Sequence, residues 1–198
     1  KASEELQAAF PHKILRHICN TAGIQRYPGA QFDMVRLGLG LYGVNPHTNQ
    51  MLHNVSTLKT TILQIREVPQ EDSVGYSRKG RLSRDSRIAA IPIGYADGYL
   101  RILSKDGYMG IKGKSAKILG RICMDQTIVD VTNIDNINTG DEVTIFGNGL
   151  AENTPTADDI AKWSNTINYE VVCLVSKRVP RVYYKDDKIV KVVNHLIK

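Results

Sequence analysis

From about Ser56 onward the chain breaks into short apolar runs separated by turn residues, and this spacing restricts most of it to a β fold. The runs are Leu58 to Val68, Arg87 to Ile93, Met109 to Ile122, Thr127 to Val131 and Glu142 to Phe146. Gly113-Lys114 and Thr139-Gly140-Asp141 supply turns between them. A small helical insert interrupts the pattern. Thr156 suits an N-cap, Asp158 and Asp159 fall in the first turn where the helix dipole favours acids, and the helix runs on through Ile160, Ala161 and Trp163. A second helical stretch spans about Tyr169 to Ser176. Arg181 to Tyr184 and Lys188 to Val193, around Asp186-Asp187, read as a closing hairpin.

The opening residues have a different character. KASEELQAAF has helix-forming composition but starts without a cap or an initiator Met, as though inside an element. Ile14 to Cys19 reads as a strand leading into the small-residue loop Asn20-Thr21-Ala22-Gly23. Met34 to Val44 is a second apolar run, carrying Gly38, Gly40 and Gly43 and closed by Asn45-Pro46. Such runs suit parallel strands buried on both faces, with glycines where a ligand or another backbone comes close. Two strands of that kind cannot form a domain alone. The expected organisation is therefore residues 1–55 as the end of a larger α/β unit, and 56–198 as a β domain with a small helical insert.

Composition narrows the function classes. The 198 residues are 42% hydrophobic and carry 26 Lys+Arg against 20 Asp+Glu, a net +6. A chain of this size buries about 70% of its unfolded surface and needs no covalent staples. Cys19, Cys123 and Cys173 form no Cys-x-x-Cys and have no histidine pair beside them, which argues against a zinc knuckle or a disulfide framework and suits a reducing cytoplasm; no metal site is expected. No run approaches the roughly 20 apolar residues that span a bilayer, and no signal peptide is visible. The basic residues are scattered. Their densest cluster, Arg78-Lys79-Gly80-Arg81 with Arg84 and Arg87, reads as a solvated loop or strand edge.

Four segments are hard to explain by packing. In Val35 to Gly43 a cation, Arg36, interrupts a strand expected to be buried; it needs a partner or a ligand, or else a strand end from which it reaches water. The glycines beside it free backbone N–H groups for an anion such as a phosphate. In Ser73 to Arg78 a glycine precedes Tyr76, whose ordinary reading is a surface or packing residue. Ile91 to Tyr99 holds a proline in an apolar run and an Ala-Asp-Gly turn. Gly120 to Gln126 places a cation, a thiol and a carboxylate on one short stretch, where Cys123 by itself reads as a small packing residue. The residues alone lead to an anion-handling site with tyrosines.

Taken in order, HICNTAG, FDMVRLGLGLYGVNP, SVGYSRKG, IAAIPIGYADGYLR, GRICMDQTIVDVT, GDEVTIFG, NTINYE and SKRVPR resemble the C-terminal half of the alanine racemases, isomerases that depend on pyridoxal 5′-phosphate. The resemblance implies that residues 1 to about 50 hold the last two strands and helices of a truncated TIM-type α/β barrel, followed by the family's C-terminal β domain. It also implies a cytoplasmic enzyme that supplies D-alanine for peptidoglycan and the cell wall. Alanine is its substrate, and a head-to-tail homodimer lets the β domain of one subunit complete the site of the other. Neither nucleic acid nor membrane is an implied partner.

Site roles follow from the same resemblance. Tyr76 matches a tyrosine that serves as one of two opposed acid/base groups; a phenol can do so when its surroundings lower its pKa from roughly 10. Met124 matches the residue whose backbone N–H meets the substrate carboxylate, while Tyr95, Arg101 and Arg121 match positions lining the substrate entrance. Arg36 matches the arginine on the cofactor's ring nitrogen. A guanidinium with a pKa above about 12 keeps its proton, so that nitrogen stays unprotonated and side reactions are limited. His17 matches the histidine supporting that arginine. Thr21, where the family usually has serine, with Gly38, Leu39 and Tyr169, matches the phosphate contacts.

One departure stands out: no lysine here lies in the Lys-Ala-Asn-like context of the family's covalent cofactor anchor. The isolated chain, about half of a larger enzyme on this reading, is expected not to racemise alanine. A second reading is a non-catalytic basic β module for nucleic acid or a protein partner. The +6 charge, the nine tyrosines and the missing lysine favour it, but it leaves Arg36 and the ordered motifs unexplained. A third is a serine-specific or broad-specificity relative, or the racemase end of a fusion with a cell-wall ligase.

Overall fold

A computed structural model describes residues 1–44, 52–53, 55–147 and 153–197, so the Asn45-Pro46 stop lies outside the described residues. The chain divides into two compact units, Lys1–Ser56 and Thr57–Lys198.

In the first unit, helix α1 (Ala2–Ala8) begins with no side-chain cap, as its sequence suggests. The run expected as a strand, Ile14 to Cys19, forms no strand and joins no ladder. Asn20-Thr21-Ala22-Gly23 is not a loop. Asn20 caps helix α2 (Thr21–Arg26), its Oδ1 accepting the Gly23 N–H at 3.0 Å. The chain returns after α2 so that the Asp33 N–H donates to the Arg16 carbonyl (3.1 Å) and the Arg36 N–H to the Cys19 carbonyl (2.8 Å). Both bonds run in one direction with one offset, the mark of parallel segments around a crossover helix. They are too sparse for a ladder. The second half of the Met34–Val44 run is instead a 3₁₀ turn, Leu39–Tyr42, ended by Gly43 at φ 82°.

Burial on both strand faces is likewise not found. Leu15, Ile18, Val35, Leu37 and Leu41 are exposed, while Cys19, Thr21, Leu39 and Val44 are buried. One crossover helix covers at most one face of a strand pair, so the apolar run predicts extension without ensuring burial. Arg36 is correspondingly exposed rather than interred, and its Nη2 donates to the Ile18 carbonyl at 3.3 Å.

The second unit is the β domain. The run Leu58 to Val68 divides into β1 (Leu58–Thr61) and β2 (Gln64–Val68), which belong to different sheets. The crossing is at Ile62-Leu63: the buried Ile62 donates its N–H to the Asp141 carbonyl, and Leu63 donates to the Ala90 carbonyl. Next come β3 (Ser73–Val74), β4 (Gly80–Arg81), β5 (Ser86–Ile91), β6 (Tyr108–Ile111), β7 (Lys114–Lys117), β8 (Thr127–Asp130) and β9 (Glu142–Phe146). One antiparallel sheet has the order β1-β9-β6-β7 and another β2-β5-β8; β3 and β4 form a separate short hairpin. The β6–β7 turn sits at Lys112-Gly113, one residue before its expected place, with φ 47° and 73° as a two-residue hairpin turn requires.

A shared core lies between the two larger sheets. Ala89, Ile91 and Val129 from one meet Met109, Ile111, Val143 and Ile145 from the other, with Ile62 and Leu103 completing it. Helix α3 (Ala157–Trp163) starts at the expected cap: Thr156 Oγ1 accepts the Asp159 N–H, and Asp159 answers by accepting the Thr156 N–H at 2.8 Å. Helix α4 (Asn168–Leu174) and the hairpin β10 (Arg181–Lys185) and β11 (Lys188–Val193) close the chain, the hairpin turning at Asp186-Asp187 with φ 50° and 59°. Among the described residues no helix is long and apolar enough to cross a membrane.

Candidate functional site

Tyr76 sits at the tip of the β3–β4 hairpin with its side chain largely exposed. The tip is tightly wound: Gly75, Ser77 and Arg78 have φ of 76°, 57° and 54°. Two of these are non-glycine residues in the left-handed region, a conformation that costs roughly 1–2 kcal/mol each and gathers at functional sites. Arg78 braces the tip, its Nε donating to Ser73 Oγ at 2.8 Å.

The hairpin base rests on the segment that carries Arg121 and Met124. A Cβ on Gly80 would lie 3.1 Å from the Gly120 nitrogen, and one on Gly120 would lie 3.0 Å from the Val74 oxygen. Glycine is required at this crossing, and Gly120 itself has φ 72°. The segment then bends through Cys123, whose N–H donates to the Gln126 carbonyl, and exposes Met124. Among the described residues the Met124 N–H has no acceptor within the chain.

A third segment meets the second. Tyr95 and Ala96 donate their N–H groups to the Cys123 and Met124 carbonyls, at 3.1 and 3.0 Å. Ser104 Oγ accepts the Ile122 N–H at 2.9 Å, which ties the 3₁₀ turn Arg101–Ser104 to the same loop. Beside it is a recess of about 400 Å³, lined by Lys79, Arg101, Lys105 and Arg121 with Ser104 and Gly120. Lys105 has Asp106 at 3.9 Å, but among the described residues no carboxylate lies within ion-pair distance of Lys79, Arg101 or Arg121, so the recess is electropositive and suits an anionic guest. Arg84 and Arg87 do not join it: Arg84 faces Asp130 and Asn133, and Arg87 donates to the Ile134 carbonyl.

Tyr76, Tyr95, Arg101, Arg121 and Met124 thus lie on mutually contacting segments. Tyr169 opens α4, and it is the other end of that helix that touches the Tyr95 turn, a Cβ on Gly98 falling 2.3 Å from the Leu174 oxygen.

Sequence reasoning passed over the residue that ties these segments together. Arg178 places Nε 2.9 Å from Asp97 Oδ1 and Nη2 2.6 Å from Asp125 Oδ1. The hydrogen bond to Asp125, then the Asp97 charge, hold its proton more firmly than in a free guanidinium. An arginine opposite two Asp-bearing turns has no local sequence signature.

The first unit contributes a separate cluster. Thr21 is buried, and its Oγ1 accepts the N–H groups of Gly38 and Gly40, both at 3.2 Å. With those two amides turned to its oxygen, the Thr21 hydroxyl proton is left to donate outward, and among the described residues the Leu39 N–H has no acceptor, so the start of the Leu39–Tyr42 turn can offer donors to a phosphate group. A Cβ on Gly40 would lie 2.8 Å from Leu37 Cδ1 and 3.0 Å from Thr21 Cγ2, whereas one on Gly38 would meet nothing within 4 Å, so the cluster is open on the Gly38 side. Arg36 commits one N–H to Ile18 and stays exposed. His17 is exposed and makes no hydrogen bond to Arg36. The Thr21 cluster suits a phosphate group and the exposed Arg36 has N–H donors to spare, so these residues fit the phosphorylated cofactor that the resemblance implies. Among the described residues no group of three or more His, Cys, Asp or Glu side chains could hold a metal ion.

Comparison with known proteins gives a consistent result. A family model described as alanine racemase, C-terminal domain, matches residues 55–183, and one described as alanine racemase, N-terminal domain, matches residues 1–46. Alanine racemase 1 of Clostridium acetobutylicum is 43% identical over 188 residues, covering 92% of this chain and 48% of the relative. The alanine racemase of Clostridium novyi is 44% identical over 189 residues, covering 91% and 48%. Among solved structures, an alanine racemase of Clostridium difficile 630 in complex with cycloserine superposes with TM-score 0.88 at 37% identity, over 98% of this chain and 52% of that one. The Bacillus anthracis alanine racemase with bound L-Ala-P gives TM-score 0.88 at 31% identity, over 98% and 51%. The chain spans about half the length of the relatives it matches.

Proposed function

Because the chain belongs to the alanine racemase family and corresponds to the C-terminal part of such an enzyme, we propose that it serves the interconversion of L- and D-alanine. Residues 1–55 are then the end of the cofactor-binding barrel and 56–198 the C-terminal β domain. The observation that carries the reading is the packing of the hairpin that bears Tyr76 against Gly120-Arg121, the start of the segment that presents the unused Met124 N–H.

In this role the Tyr76 phenol takes up or delivers a proton at the substrate α-carbon on one face. An acid/base group must reach outward past its own backbone, and the Gly75–Arg78 tip holds the side chain exposed to do so. The Met124 N–H binds the substrate carboxylate through the backbone, while Arg101 and Arg121 attract that carboxylate into the recess and Tyr95 lines the way in. Thr21 with the Gly38 and Leu39 amides, and Tyr169, would hold the phosphate of pyridoxal 5′-phosphate. Arg36 would hold the ring nitrogen without giving it a proton, and His17, which makes no bond to Arg36 in this structure, would turn to support it. The cofactor, when bound, supplies an electron-accepting ring that makes the α-proton removable. The 198-residue chain alone, with one acid/base group and no lysine in the anchoring context, is not expected to exchange the enantiomers.

A head-to-tail homodimer, a cytoplasmic location and supply of D-alanine to peptidoglycan go with this proposal. A non-catalytic basic module is not favoured: it accounts for the net charge but not for the packing of the Tyr76 hairpin on the segment that leads to Met124. The test is Tyr76→Phe in the complete enzyme. Turnover should fall more in one direction than in the other, with the cofactor absorbance unchanged. Equal, mild losses in both directions would overturn the assignment.

A further inference from the structure

Arg178 lies outside the residues assigned above, yet its side chain pairs with a carboxylate on each of the two turns on which the carboxylate contact depends. Asp97 closes the 3₁₀ turn Tyr95–Asp97 and is nearly buried; its Oδ2 accepts the Gly94 N–H at 2.9 Å and its carbonyl accepts the Ser176 N–H at 3.0 Å. Asp125 directly follows Met124 and is more than half exposed. Between the two turns run the Tyr95-to-Cys123 and Ala96-to-Met124 backbone bonds. We propose that Arg178 is a positioning residue: its guanidinium fork spans Asp97 and Asp125 and so fixes the direction in which the Met124 N–H points. This rests on the reading of Met124 as the substrate-carboxylate contact.

The chemistry favours arginine over any other cation. Nε and Nη2 are rigidly related, so holding one carboxylate sets where the second must be, whereas a lysine ammonium is a single flexible point. The Asp97 leg is anchored in the domain, and the Asp125 leg carries that rigidity to an otherwise exposed loop. A lone ion pair as exposed as Arg178–Asp125 is worth little for stability. Its use is therefore orientation: the amide of Met124 must meet a carboxylate within a narrow angular range to form a strong charge-assisted bond.

The test uses two conservative variants, Arg178→Lys and Asp125→Asn, each of which leaves the Asp97 side of the domain occupied. In the 198-residue chain, amide hydrogen exchange at Tyr95 and Ala96 should quicken by about fivefold or more in both variants, with β5 and β9 unchanged. In the complete enzyme, KM for alanine should rise by about fivefold while kcat changes less than twofold. Unchanged exchange at Tyr95 and Ala96 in both variants would overturn the positioning role, whatever the fate of the catalytic assignment. Faster exchange with an unaltered KM would uphold the positioning role and overturn Met124 as the carboxylate contact.

Discussion

Gly94 lies so close to Met124 that a Cβ on Gly94 would stand 2.3 Å from the Met124 carbonyl oxygen and 2.5 Å from its carbonyl carbon. Both partners are backbone, so neither can swing aside. The same position would meet the Cys123 oxygen at 2.3 Å, and the Tyr95 and Ala96 amides bond to these two carbonyls. The loop proposed to hold the substrate carboxylate is thus pressed onto the turn that carries Tyr95 by a contact only glycine permits.

Gly94→Ala should therefore cost stability and displace the loop. Overpacking against an unyielding neighbour typically costs about 1–3 kcal/mol. Urea unfolding of the variant should show a lower midpoint with the same m-value. An unchanged midpoint would mean that the loop moves freely off the Tyr95 turn.

Thr21→Val tests the phosphate cluster. Valine keeps the shape but removes the oxygen that gathers the Gly38 and Gly40 amides. In the complete enzyme the dissociation constant for pyridoxal 5′-phosphate should rise by about tenfold, as expected for the loss of one hydrogen bond to a charged group. Thr21→Ser should bind like the parent. Equal affinity in all three would remove Thr21 from the cofactor contacts.

Tyr99 gives a pH dependence of defined sign. It is buried, its hydroxyl has no partner among the described residues, and burial pushes the phenol well above its ordinary pKa near 10. Above pH 10 the unfolded chain sheds a proton that the folded chain retains, so stability falls as pH rises, by at most about 1.4 kcal/mol per pH unit; below pH 10 this residue adds no slope. Tyr99→Phe should flatten the alkaline fall and, by removing an unpaired buried hydroxyl, raise stability near neutrality by about 1 kcal/mol. The residual slope belongs in part to Tyr108, raised by its own burial and then by Asp159. Urea midpoints at pH 7 and pH 10.5 for both proteins decide it, and identical alkaline slopes would contradict the assignment.

The β domain was legible where its signals are local. Asp186-Asp187, the Thr156–Asp159 capping box and the glycine-bearing turn at Lys112-Gly113 act through residues next to them in sequence. The sheet change at Ile62-Leu63 was not visible, because its partners at Asp141 and Ala90 are distant in sequence. The two apolar runs of the first unit form no strand ladder, the second turning into a 3₁₀ segment at Leu39–Tyr42, and their burial depends on what covers them. Arg178 went unseen for the same reason: its partner Asp125 is 53 residues away, and nothing around Arg178 marks a fork aimed at two carboxylates. Tyr76 and Met124 came from family resemblance, since an exposed tyrosine and an exposed methionine look ordinary to composition and periodicity.

Ser77→Gly separates strain from function at the hairpin tip. Ser77 has φ 57°, where a side chain costs roughly 1–2 kcal/mol and glycine does not, while glycine's extra freedom in the unfolded chain takes back about 0.5–1 kcal/mol. The variant should therefore be more stable by about 0.5–1 kcal/mol in urea unfolding. If the strain serves to hold the Tyr76 phenol in one direction, kcat of the complete enzyme should fall severalfold even though the domain is tighter, the trade expected where a strained conformation is part of the site. A more stable variant with full activity would show that the tip conformation is not needed for proton transfer. A less stable one would show that Ser77 is held by contacts outweighing its backbone cost.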